Sequence, residues 1–125
     1  MGQAFRGVVI LADDEDLLRE SAQEMFEDEG FIVLPARDGH EALARMQGIT
    51  GPVVALVDLA MPGMDGGALM DAMAHDEALA RIPVVVISSR LTHDRVQDGR
   101  HYVRKPFRND ALIRLVTDLC GASAR

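Results

Sequence analysis

Residues able to do phosphate or metal chemistry stand directly after apolar runs in this chain. Asp13 and Asp14 follow "VVILA", Asp58 follows "VVALV", Ser88 follows "VVVI" and Lys105 follows "HYVR". Each has a plain explanation when taken singly. Asp13 or Asp14 would cap a helix, Asp58 would open a turn before "LAMPGMDG", Ser88 would bond neighbouring backbone and Lys105 would be a solvated charge. Their coincidence changes the reading. If the runs are neighbouring strands, the three carboxylates crowd together and repel unless a proton or cation relieves them. A hard divalent ion that takes oxygen ligands, keeps several waters and accepts a phosphate oxygen fits best, which points to Mg²⁺. A carboxylate beside such an ion and a lysine is also a nucleophile toward phosphorus. The product is an aspartyl phosphate, with metal and ammonium offsetting the charge on the transferring group.

Strands must therefore deliver these residues to one edge. Runs of β-branched and aliphatic residues at Val8–Leu11, Phe31–Leu34, Val53–Val57 and Val84–Ile87, with a weaker one at His101–Arg104, predict five strands. Their continuous apolar character is that of strands buried on both faces. Between them, Leu18, Ala22, Met25 and Phe26 recur at helical spacing, with Gly30 as the stop. A second helix covers Asp38 to Met46 with Asp38 as N-cap, a third covers Gly67 to Ala74, and a last one follows Asn109 with Leu112, Leu115, Val116 and Leu119 as its stripe. Alternating strands and helices predict a parallel sheet with helices on both faces, a three-layer α/β sandwich. In such sheets ligands collect beyond the carboxyl ends of the strands, where Asp13, Asp14, Asp58, Ser88 and Lys105 all lie.

The chain has 125 residues, 48% hydrophobic and 26% charged, which suits one domain, with its core over residues 7–120. No apolar run is long enough to span a membrane, and Met1–Gly7 lacks a signal-peptide centre, so a cytoplasmic location is expected. The net charge of −7 is uneven. Residues 12–29 hold nine acids against Arg19 alone, whereas residues 90–125 hold eight bases against four acids. The acidic excess argues against nonspecific nucleic-acid binding, and no recognition-helix pair is present. Cys120 lies in the apolar pattern "LIRLVTDLC" and reads as a small buried hydrophobe. His40, His75, His93 and His101 lack metal-site spacing, and Met61, Met64, Met70 and Met73 read as core filling.

These residues resemble the receiver domain of two-component response regulators, over Val8 to about Leu119. The motifs are Asp13-Asp14, "DLAMPGMDG" from Asp58, Ser88 after the fourth strand, and "YVRKPF" from Tyr102 to Phe107. The resemblance implies a flavodoxin-like, doubly wound five-stranded sheet in the order 2-1-3-4-5. It implies Asp58 as phosphoacceptor, with Mg²⁺ held by Asp14, Asp58 and the Ala60 carbonyl and Asp13 assisting through water. Lys105 would bind the phosphoryl group, and the Lys105-Pro106 bond would be cis. The donor would be a histidine kinase or histidine phosphotransfer protein. On phosphorylation Ser88 would turn inward and Tyr102 would follow, unless Tyr102 is simply a half-buried strand aromatic. Ala60 and Arg90 would flank the phosphate and tune its lifetime.

The chain departs from the family pattern in one place. Only seventeen positions separate Ser88 from Lys105, and "RLTHDRVQDGRH" offers only Leu91 and Val96 as apolar residues, with Gly99 interrupting. The fourth helix is expected to be short, irregular or absent, as in receivers attached to hybrid sensor kinases. That favours a monomer or weak phosphorylation-dependent dimer, with output through another protein. Two other readings remain: an interaction domain that never takes phosphate, and an aspartyl-phosphate phosphatase, which would need a cap over its substrate.

Overall fold

The computed structural model describes residues 5–123, excluding the side chain of Ser123. β1 (Gly7–Ala12), β3 (Val53–Asp58) and β4 (Val84–Ser88) are buried along their whole length, as their unbroken apolar runs require. β2 (Phe31–Ala36) lies at one edge, where Pro35 and the exposed Ile32 are tolerated. The helices are α1 (Asp16–Asp28), α2 (Gly39–Met46), α3 (Gly66–Ala74) and α4 (Asn109–Ser123). None of them is long and apolar enough to cross a membrane.

Alternate residues of the central strands build two cores. Val8, Ile10, Ala55, Val57 and Val86 pack against Ala42, Met46, Leu69, Met70 and Met73 of α2 and α3. Val9, Leu11, Val54, Leu56, Val85 and Ile87 pack against Ala22 and Phe26 of α1 and Leu112, Val116 and Cys120 of α4. Phe26 meets Phe31 edge-on, with ring centroids 5.7 Å apart. Met61, Met70 and Met73 are core residues as expected, with Met64 packed beside them. Burial pushes the Cys120 thiol up to about 11, so it stays protonated near neutral pH.

The order of the five parallel strands is the expected one, but the sheet has a sixth member. β5 (Arg95–Gln97) pairs antiparallel with β6 (Arg100–Arg104), giving the order β2-β1-β3-β4-β6-β5. A β-hairpin thus stands where a fourth crossover helix was expected to be short, irregular or absent. The cause is the two-residue link between the paired Gln97 and Arg100. Asp98 has φ 53° and Gly99 φ 75°, the two left-handed residues of a primed hairpin turn. Asp-Gly is a strong hairpin signal, and reading Gly99 only as an interruption missed it.

Gly99 is therefore the residue on which the hairpin depends. Gly99→Ala should destabilise the protein by about 1 kcal/mol. Amide exchange should rise first in residues 95–104 and leave β1 and β3 protected; uniform loss of protection would refute a local role.

Candidate functional site

Parallel register brings the carboxyl ends of β1, β3, β4 and β6 into one row. Ala12 pairs with Val57, Asp58 with Ile87 and Ser88 with Arg104, so the residues closing or following these strands face one another. Asp13 is fully buried and its backbone N–H donates to the Ala36 carbonyl at 3.0 Å. Asp58 and Ser88 are also buried, while Asp14 is exposed. Carboxylate oxygens of Asp13, Asp14 and Asp58 lie within 4.8 Å of one another.

Lys105 reaches into this group from the end of β6. Its ammonium donates to Asp13 Oδ2 at 2.9 Å and to Asp58 Oδ2 and Glu15 Oε1, each at 3.4 Å. The Lys105-Pro106 peptide is cis, and the Lys105 N–H donates to the Ser88 carbonyl at 3.0 Å, tying the lysine to the end of β4. Asp58 Oδ1 accepts from the Ala60 N–H at 3.3 Å. Ser88 Oγ accepts from the Arg90 N–H at 3.1 Å.

The electrostatics follow from crowding. Burial pushes the Asp58 carboxyl above its usual range and the charge of Asp13 adds to this, while Lys105 and the Ala60 N–H oppose it without prevailing. Burial acts to lower the Lys105 value, but its hydrogen bond to Asp13 and the charges of Asp13, Asp58 and Glu15 outweigh that and raise it. One ammonium does not balance the carboxylates around it. An all-oxygen donor set with surplus negative charge, two members buried and one open to solvent, fits a hard divalent cation such as Mg²⁺.

Asp14 also borders an open cleft of about 500 Å³ shared with Ala60, Met61, Asp65 and Arg90. Ala60 and Arg90, expected to tune the phosphate lifetime, thus share this cleft with Asp14. Tyr102 is half-buried on the α3 side of the sheet, beneath the guanidinium of Arg95, whose central carbon is 4.7 Å from the ring centroid.

The supporting roles of three residues were not read from the sequence. Glu15 stands at the N-cap of α1 without capping it by its side chain, and its N–H donates to Asp13 Oδ1 at 2.9 Å, so Asp13 braces the turn rather than capping the helix. Arg19, the lone base of the acidic segment, donates to the Asp13 carbonyl at 2.8 Å and to Asp16 at 2.7 Å. Gly66 lets α3 approach β3, because a Cβ there would fall 2.5 Å from the Asp58 carbonyl oxygen. Of these, only Arg19 carried a signal, as the single base among nine acids.

The raised Asp58 value has a consequence for stability. The folded state holds this proton more tightly than the unfolded chain does. Stability from Asp58 is therefore full below the unfolded value and lost as pH rises through the folded one. In EDTA, Asp58→Asn should melt a few degrees above the wild type at pH 7, with the gap closing as pH falls below the ordinary carboxylate range. Mg²⁺ should raise the wild-type Tm more than that of the variant. Thermal melts across pH, with and without metal, check both points.

Residues 9–117 match the family described as the response regulator receiver domain. Protein PilG of Pseudomonas aeruginosa is 29% identical over 110 residues, which cover 84% of this chain and 81% of PilG. The chain spans about half the length of several other relatives. The receiver domain of Francisella response regulator 1452 superposes with a TM-score of 0.78 at 27% identity, covering 93% of this chain and 98% of that one. The receiver domain of the hybrid histidine kinase CckA gives a TM-score of 0.76 at 30% identity, covering 91% and 99%. With this match, this fold and this acidic edge, the chain belongs to the response regulator receiver domain family.

Proposed function

We propose that this receiver is a working Mg²⁺-dependent phosphoacceptor, and that Asp58 takes a phosphoryl group from a phosphohistidine on a histidine kinase or phosphotransfer protein. The observation that carries this is the placement of Asp58, buried beside the Asp13 carboxylate at the carboxyl ends of the strands, with the Lys105 ammonium bridging the two. In the transfer, an Asp58 carboxylate oxygen bonds to phosphorus as the phosphorus–nitrogen bond to histidine breaks. The leaving imidazole keeps the electron pair.

Asp14 and Asp58 would hold Mg²⁺ with the Ala60 carbonyl, and Asp13 would act through water. When bound, the ion neutralises surplus charge and orients the phosphoryl oxygens. Lys105, already directed at Asp58, would follow the charge onto the transferred group. Ser88 Oγ now accepts from the Arg90 N–H; turning its hydroxyl to donate to a phosphoryl oxygen would release that bond and let residues 89–93 move. Tyr102 would respond by leaving its place under Arg95. With a hairpin in place of the fourth helix, the output surface is not that of a standard phosphorylation-driven dimer, and a monomeric or weakly dimeric relay role suits it better. The domain would serve its own phosphorylation and dephosphorylation without being an enzyme for other substrates.

Intact mass after incubation with acetyl phosphate and Mg²⁺ tests the proposal. A single phosphoryl adduct should form on the wild type, disappear in EDTA and be missing from Asp58→Asn. Lys105→Ala should still bind Mg²⁺ but lose most of the phosphorylation-induced change in Tyr102 fluorescence. Absence of both the adduct and any response to beryllofluoride would leave the constitutive interaction domain as the better reading.

A further inference from the structure

The segment between Ser88 and the hairpin is fastened at both ends by side chains that bond to backbone. At its start, Ser88 Oγ accepts from the Arg90 N–H. At its end, Asp94 Oδ1 accepts from the N–H of Arg104 at 2.8 Å, a short bond to a charged acceptor. The cross-strand pairing of β5 with β6 stops at Arg95–Tyr102, so this Asp94 bond continues the grip on β6 after the ladder has ended. The next residue, Arg95, lies over the Tyr102 ring. Consecutive residues thus seize β6 twice, at a backbone amide and at a ring.

The amide that Asp94 holds belongs to the residue immediately before Lys105. Arg104 is paired with Ser88 on its other side, and Lys105 itself is bonded to the Ser88 carbonyl. The end of β6 is therefore fixed between the end of β4 and the Asp94 carboxylate. Lys105 Nζ must lie 2.9 Å from Asp13 and 3.4 Å from Asp58, and displacements on the order of 1 Å in a reacting constellation are enough to slow a reaction severely.

We infer that Asp94 is a positioning residue for phosphoryl transfer: through the Arg104 amide it holds the strand end that aims Lys105 at Asp58, a task that falls to a loop carboxylate because a hairpin replaces the crossover helix. This rests on the phosphoacceptor reading. Asp94 bonds to the Arg104 amide and is not among the clustered carboxylates of Asp13, Asp14 and Asp58, so its effect should pass through Lys105.

The initial rate of phosphorylation by acetyl phosphate in saturating Mg²⁺ tests this, alongside Mg²⁺ affinity by calorimetry. Asp94→Ala should slow phosphorylation about fivefold to tenfold, the equivalent of one lost hydrogen bond, with Mg²⁺ affinity changed less than about twofold. Asp94→Asn retains an acceptor oxygen and should stay near the wild-type rate. In a Lys105→Ala background, Asp94→Ala should add little further loss. The inference is overturned if Asp94→Ala matches the wild type, if Asp94→Asn is equally slow, or if the losses are additive with Lys105→Ala. Should Asp94→Ala not fold, Asp94→Leu, which likewise has no acceptor, takes its place. A wild type inert to acetyl phosphate and beryllofluoride would refute the phosphoacceptor reading first and this inference with it.

Discussion

The structure turns on a charge imbalance held in place by a parallel sheet. Strand pairing brings Asp13, Asp14 and Asp58 within 4.8 Å, and a single ammonium, that of Lys105, stands among them. Packing around β1, β3 and β4 supplies the force that tolerates the repulsion, since those strands are buried throughout. Burial first, and the charge of Asp13 after it, hold the Asp58 carboxyl above its usual range. On the proposed function, a divalent cation would relieve this field and a phosphoryl group would be admitted once it is relieved.

Much of this was legible because burial on both faces writes a strand as an unbroken apolar run, and the residue that breaks the run marks where the strand reaches solvent. Asp58 and Ser88 were found in this way, and Asp38 was legible as a cap, its carboxylate accepting from the Glu41 N–H at 2.9 Å. Other features left weaker traces. Glu15 reaches Lys105 across ninety positions of sequence, and local spacing cannot encode such a meeting. Gly66 is needed for a close approach that exists only once α3 packs on β3. The hairpin was written locally in Asp98-Gly99, but β5 is three exposed residues long and has no apolar run to announce it.

The exchange of helix for hairpin also redistributes the contacts around Tyr102. A crossover helix would cover that ring with apolar side chains. Here a guanidinium covers it, and Arg95 is itself bonded through Nε to Gln97 at 3.1 Å on the exposed strand. An aromatic ring under a solvent-facing cation is held by a directional contact that can open without exposing a core. The ring is thereby poised differently from one locked beneath a helix.

The same substitution alters how the sheet meets other molecules. An open sheet has two borders of unpaired amides, each a template for another chain's strand. At one border β2 carries Pro35, which has no N–H to offer. At the other, the last strand is only Arg95–Gln97, and Asp98 and Gly99 turn the chain back after it. One border lacks a donor at Pro35 and the other lacks length and carries charge, so this sheet is guarded against edge-to-edge growth into aggregates even though its last strand is exposed.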